Sequence, residues 1–256
     1  MDLKNKAIKL KKLSWKIEDI AKELNISSRT VSKYTQTVPH PNNVHAKKPL
    51  SNSAKILTIE LAEILGYICA EGCDSDYIDN HWGYDKRRGK SYRRSSKRVS
   101  ITFSNTDEGL KKHFINIFNK VFGYSRHFNK SGNFCINRIE VVKYLRDYSL
   151  FGSKRWKVPK QIKNANNKIK SAFCRAYFDG DGTIETKKKE IRLDSTNENG
   201  LKEVKTLLDN LKFNSHFYSF KGRYRIVIRE IEGFSKIIGS NHPKKREQME
   251  LLIKNK

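Results

Sequence analysis

Residues 55–256 of this chain carry one pattern twice. Ser104-Asn105-Thr106-Asp107-Glu108-Gly109-Leu110 returns 91 residues later as Ser195-Thr196-Asn197-Glu198-Asn199-Gly200-Leu201. Gly132-Asn133-Phe134-Cys135-Ile136 returns 90 residues later as Gly222-Arg223-Tyr224-Arg225-Ile226. Ser125 with Ser215, and Gly152-Ser153 with Gly239-Ser240, keep the same order at offsets of 90 and 87. Matches in one order at a near-constant offset mean two copies of one structural unit. The periodicity predicts for each copy a helix (58–71; 168–179), a hairpin with its second strand at 99–103 or 191–193, and an amphipathic helix (108–122; 198–211). A second hairpin (125–128 with 134–136; 215–220 with 224–228) and a closing helix (139–148; 231–238) complete the unit. The expectation is αββαββα twice, an α+β fold with antiparallel sheets.

The copies differ in one place. Glu71 and Asp181, which end the opening helices, lie 110 residues apart, so the first copy has about 20 extra residues around Asp79–Arg98. That stretch holds Lys86, Arg87, Arg88, Lys90, Arg93, Arg94, Lys97 and Arg98, interleaved with Trp82, Tyr84 and Tyr92. It is expected to be a DNA-facing hairpin extension, with Arg87, Arg88, Arg93, Arg94 and Arg98 as contacts. The chain has 53 Lys and Arg against 27 Asp and Glu, a formal charge of +26, which points to a polyanionic partner. The longest mostly apolar run, Leu61–Ala70, contains Glu63 and is far short of a bilayer span. No signal core opens the chain, so a cytoplasmic, nucleoid-associated location with no membrane is expected. Four Cys make no disulfide framework.

The chemistry concentrates in two helices. Phe173-Cys-Arg-Ala-Tyr-Phe-Asp-Gly-Asp-Gly-Thr-Ile184 corresponds to Ile64-Leu-Gly-Tyr-Ile-Cys-Ala-Glu-Gly-Cys73. Gly66 and Ala70 in one, Ala176 and Gly180 in the other, are small residues that let two helix backbones approach closely. Each helix ends in an acid followed by glycine, Glu71-Gly72 and Asp181-Gly182, with the glycine suited to a left-handed cap. An acid there opposes the helix dipole, and two such helices side by side would set two carboxylates together. A divalent cation offsets both repulsions, and Mg²⁺ favours one or two carboxylates plus phosphate oxygens.

The two motifs resemble those of the LAGLIDADG homing endonucleases in their single-chain, two-motif form. The second match, Arg175-Ala-Tyr-Phe-Asp-Gly-Asp-Gly-Thr183, is close; the first is looser, with Cys69 where the family often has Asp. The resemblance covers residues 55–256 and includes the closing segment Ile238-Gly-Ser-Asn-His-Pro-Lys-Lys245. It implies a pseudo-twofold fold, with the two motif helices packed centrally and two antiparallel sheets forming a saddle over duplex DNA. It further implies a staggered double-strand cut at a long asymmetric site, using Mg²⁺ or Mn²⁺ held at Glu71 and Asp181 with Gly72 and Gly182. The family also places a polar or basic group near each scissile phosphate. The repeat alignment puts Asn105 and Thr196 there as catalytic candidates, with Lys130 and Lys221 as alternatives. Because one chain supplies both halves, a monomer with no protein partner is expected.

The N-terminal part reads separately. A helix from Trp15 to Leu24, the turn Asn25-Ile26-Ser27, and a second helix through Tyr34 resemble the helix-turn-helix of regulators and recombinases. Ser28, Arg29, Thr30 and Lys33 would face bases and phosphates. The expected organisation is a helix-turn-helix module (1–36), a Pro-containing linker (37–54) and two halves (55–160; 161–256). The rival reading is a non-cleaving DNA-binding regulator, or an intron RNA maturase, on the same fold. A protein-splicing element is not expected, since the chain opens in the helix-turn-helix and ends without a His-Asn pair.

Overall fold

In the computed structural model, the described residues are 2–12, 17–35, 50, 55–85, 87, 89–123 and 126–254. They form two compact units divided after Pro49. All of the expected linker except Leu50 lies outside the described residues, as do Trp15, Lys86, Arg88 and Ser125.

The first unit holds three helices, α1 (Leu3–Lys12), α2 (Ile17–Glu23) and α3 (Ser28–Tyr34). Ala7, Ile20, Ala21 and Val31 form its small buried core. Asn25 makes the turn at φ 49, a region that Asn tolerates better than most residues. Ser27 caps α3, its hydroxyl accepting from Thr30 N at 3.1 Å.

The second unit is built on two helices, α4 (Ile59–Glu71) and α8 (Asn167–Asp181). Thr58 caps α4 and Asn166 caps α8, each through a side-chain oxygen and a backbone N–H three residues on. Every residue from Leu61 to Cys69 is buried, the mark of a helix enclosed on all sides. Close approach of the pair requires the predicted glycines. A Cβ on Gly66 would lie 2.5 Å from Phe173 O, and one on Gly180 would lie 2.5 Å from Ala70 Cβ. Gly66→Ala should therefore cost about 1–3 kcal/mol by overpacking. Urea unfolding of the variant checks this, and unchanged stability would mean the helices separate freely.

Each motif helix runs straight into a sheet. The first sheet has order β1-β2-β3, with β1 (Gly72–Asp85), β2 (Lys90–Ser104) and β3 (Asn133–Ile136). The second has order β4-β5-β7-β6, with β4 (Gly182–Glu185), β5 (Glu190–Ser195), β6 (Ser215–Phe220) and β7 (Arg223–Ile228). All pairs are antiparallel. The amphipathic helices α5 (Glu108–Phe122) and α9 (Glu198–Asn210) follow β2 and β5. They cover the sheets with Leu110, Phe114, Phe118 and Val121 in one half, and Leu201, Val204 and Leu208 in the other. Three shorter helices are α6 (Ile139–Arg146), α7 (Lys160–Lys163) and α10 (Ile231–Ile237), and α11 (Pro243–Lys254) closes the chain. The sequence reading did not anticipate α7 or α11.

Three expectations are corrected. Gly72 and Gly182 are extended, at φ −96 and −86, not left-handed. They enter β1 and β4 directly, and glycine is needed because a Cβ would collide with Ile68 O or Phe178 O. The predicted strand at 125–128 is absent among the described residues. Arg126 instead donates through Nη1 to Cys135 O at 2.7 Å, occupying a β3 carbonyl that a fourth strand would have used. Finally, the repeat offset at the second helix start is 90, not 91. Asp107 and Asn197 are the caps of α5 and α9, and Asn105 and Ser195 each accept from the cap N–H. The strand register agrees, since Gly72 pairs with Phe103 as Gly182 pairs with Leu193. Asn105 is thus equivalent to Ser195, and Thr196 to Thr106.

Candidate active site

The packing of α4 on α8 brings the two predicted acids to one place. The Glu71 side chain lies along Gly180, where a Cβ would come within 3.2 Å of its Cγ. Burial and the neighbouring Glu71 charge raise the Asp181 carboxyl to about 7. Glu71 is the more exposed of the two, and partial burial still raises its carboxyl against the pull of Lys245. The buried Tyr177 hydroxyl sits against Asp181 and Ser195, and its approach to Asp181 opposes the rise of that carboxyl. Two carboxylates crowded at the ends of adjoining helices, with a buried hydroxyl beside Asp181, fit a site that takes a cation and its water. Among the described residues no group of three or more His, Cys, Asp or Glu could form a closed metal cage. The donor set therefore matches Mg²⁺, which keeps waters and takes phosphate oxygens, better than zinc. The thiols of Cys69 and Cys174 are buried and pushed upward, Cys174 to about 12, so neither is a ready ligand.

Lys245, at the start of α11, is the charged neighbour that sequence reasoning missed as a site residue. Its Nζ donates to Phe178 O at 2.7 Å and Asp179 O at 2.8 Å, and lies 5.0 Å from the Phe178 ring centre. It closes the carbonyl end of α8 and opposes the negative pole of that helix. Burial lowers its ammonium to about 8, against the attraction of Asp179, Asp181 and Glu71.

Asp181 opens into a cleft of about 440 Å³ lined in part by Asp194, Ser195, Thr196, Phe220, Arg223 and Arg225. Thr196, one of the predicted catalytic groups, lines the same cleft as Asp181, its Oγ1 donating to Ser153 O at 3.3 Å. Arg225 pairs with Asp194 at 2.6 Å and stacks over Phe220 at 5.5 Å. Arg223 and Arg225 were readable from the alternation 223–228 but were not singled out. The other candidates are elsewhere. Asn105 is occupied as the acceptor for Asp107 N at 2.9 Å. Lys130 lines a separate hollow with Lys111, Lys112 and His127. Lys221 is exposed at φ 47 in the β6–β7 turn. Neither lysine lines the Asp181 cleft.

A buried polar network holds the motif helices in place. Asp179 accepts from Tyr67 Oη at 3.1 Å, Ser240 Oγ at 2.5 Å and Asn241 N at 2.9 Å. The Asn241 amide reaches Glu63 Oε1 at 3.0 Å, and Glu63 also meets His113 at 2.8 Å and Arg175 at 3.2 Å. The closing segment 240–242 thus ties α4, α5 and α8 together.

The predicted DNA contacts divide. Ser28, Arg29 and Lys33 are exposed on α3, while Thr30 is half-buried with its hydroxyl 2.8 Å from Ser27 Oγ. The β1–β2 extension is real, pairing 14 residues from Gly72↔Phe103 to Asp85↔Lys90 against four in β4–β5. Its arginines do not share a face. Positions 94 and 98 alternate with 93, and Arg98 pairs with Asp79 at 3.2 Å. Arg87 is exposed in the turn; Arg88 and the Arg94 side chain lie outside the described residues.

Asp181 gives a signed pH dependence. A carboxyl whose folded value exceeds its unfolded one favours the fold below the unfolded value, and that benefit disappears as pH rises through the folded value. Without metal, wild type should lose stability relative to Asp181→Asn between about pH 4 and pH 7, by a few kcal/mol. Melts of both proteins in EDTA across that window check it. A difference that does not change with pH would mean that Asp181 is neither buried as a charge nor crowded by Glu71.

Residues 168–239 match the family described as LAGLIDADG-like domain. The replication factor C small subunit of Methanocaldococcus jannaschii is 34% identical over 133 residues, 49% of this chain and 6% of that protein. A DNA polymerase of the same organism is 27% identical over 184 residues, 68% of this chain and 10% of that protein. The chain spans a tenth or less of these two relatives, and their named activities are their own. Among solved structures, I-DmoI in complex with DNA and Ca shares the fold at TM-score 0.53 and 16% identity, over 78% of this chain and all of that one. I-DmoI in complex with DNA and Mn does so at TM-score 0.50 and 18% identity, over 73% of this chain and 98% of that one.

Proposed function

We propose, on the premise that this chain belongs to the LAGLIDADG family, that it is a site-specific endonuclease making a staggered double-strand break at a long asymmetric DNA site. The observation that carries the reading is the pair of crowded acids, Glu71 and Asp181, delivered by the two copies of one unit to one point. Mg²⁺ or Mn²⁺ bound by these acids, with Gly72 and Gly182 alongside, would supply Lewis acidity and an activated water there. Asp181 and Glu71 would serve one strand each, with the Tyr177 and Thr196 hydroxyls orienting water or phosphate. Lys245 keeps α8 terminated where its acid is needed and offsets the negative charge. Arg223 and Arg225 attract the phosphate backbone to the cleft. On the extension, Arg98 belongs to the face away from the helices, the side on which a duplex would lie, and Arg87, Arg88 and Arg94 are further phosphate contacts in this reading. The N-terminal unit acts as a tethered helix-turn-helix, with Ser28, Arg29, Thr30 and Lys33 on DNA. One chain supplies both halves, so a monomer suffices.

The test is to select duplexes from a random library in Ca²⁺ and then exchange Ca²⁺ for Mg²⁺. One long asymmetric consensus, cut on both strands after exchange, supports the proposal. A consensus bound but never cut in Mg²⁺ or Mn²⁺ would favour the non-cleaving regulator.

A further inference from the structure

The β1–β2 extension has two faces, and the proposed duplex site uses one of them. Directly paired antiparallel residues share a face. Asp74↔Ile101 and Asp76↔Val99 therefore begin the face that, at its base, turns toward the core, where Ile101 is fully buried. Arg146 on α6 covers that base, bonding Asp74 through Nε at 3.0 Å and reaching Asp76 at 3.8 Å. Beyond Asp76 the body ends and the same face continues as Ile78↔Lys97, Asn80↔Ser95, Trp82↔Arg93 and Tyr84↔Ser91. Ile78 is 65% exposed, Trp82 74% and Tyr84 62%. Trp82 makes no ring contact with any described residue, and Arg93 has no ion-pair partner among them. From Ile78 outward this face carries two cations and no acid; Lys97, at its inner end, reaches back to Asp76 at 3.3 Å, and Arg93 lies beside Trp82.

We propose that this face is a stacking platform for single-stranded nucleic acid. Trp82 and Tyr84 are two residues apart on one face, about 7 Å along the strand. They present flat rings flanked by Arg93, with Lys97 paired to Asp76 at the inner end, the combination of aromatic platforms and a backbone-tracking cation that unpaired strands bind. Paired bases are already stacked on one another and expose only groove edges, so a duplex gains nothing from these rings. A second copy of the chain is disfavoured as occupant, because two such cationic faces on +26 chains repel. The platform stands apart from cleavage and holds whether or not the acids cut.

The experiment measures binding of the full chain to labelled oligo(dT), and in parallel to duplex DNA, at a salt concentration that suppresses non-specific association. Trp82→Ala/Tyr84→Ala should weaken oligo(dT) binding by about tenfold or more. Trp82→Phe should retain most of it, and duplex affinity should be unchanged in both variants. Oligo(dT) should quench Trp82 fluorescence in wild type. Equal oligo(dT) affinity in the double alanine variant would overturn the proposal. So would a proportional loss of duplex affinity, or self-association that disappears with Trp82→Ala.

Discussion

Asp181→Asn and Glu71→Gln should each stop linearisation of a plasmid carrying the target site, with a loss of at least about a hundredfold to a thousandfold, the scale of deleting one preorganised electrostatic group. Specific binding in Ca²⁺ or EDTA should survive. The expectation follows from what each change leaves intact. Both substitutions keep side-chain volume, so the fit of α4 on α8 at Gly66 and Gly180 is preserved. The Asn variant also removes the charge whose burial, together with the neighbouring Glu71, raises the Asp181 carboxyl to about 7. Loss of activity would thus come with equal or greater stability, a pattern that misfolding cannot produce. A double variant that still cut both strands would remove these acids from the chemistry.

The second large effect concerns the N-terminal unit. A fragment starting at Leu50 contains every residue of the second compact unit and should fold and cut at saturating concentration. Its affinity for the full site should fall by ~10²-fold or more, because a tethered second module adds avidity of roughly 10²–10⁴ without new contacts in the first. Gel-shift titration of both proteins on one duplex measures the difference. Equal affinity with an identical footprint would mean that α3 does not touch this DNA.

Much of this molecule is legible in its sequence, for identifiable reasons. The motif helices declare themselves because an enclosed helix is apolar on all sides and needs glycine where two backbones meet. The long hairpin is visible as excess length in one copy. What escaped depends on partners far apart in the chain. Asn241 meets Glu63 across 178 residues, and Lys245 reaches the end of α8 from 66 or 67 residues away. No local pattern marks either. The one-residue error in the repeat arose because the Gly109 and Gly200 strings align best at 91. The chain instead aligns its helix caps, Asp107 and Asn197, at 90. That single step makes Ser195, not Thr196, the counterpart of Asn105, and both Ser195 and Thr196 line the Asp181 cleft. The missing strand is similar in kind: a guanidinium can satisfy a strand edge, and alternation alone cannot distinguish the two.

Mapping the DNA ends produced by the full chain on genomic DNA tests the central claim most directly, with Mg²⁺ in one reaction and EDTA in the other. Paired, staggered ends at one recurring asymmetric sequence, present with Mg²⁺ and absent with EDTA, are the predicted result. No new ends in Mg²⁺ or Mn²⁺, from a chain that still binds a defined duplex, would contradict it.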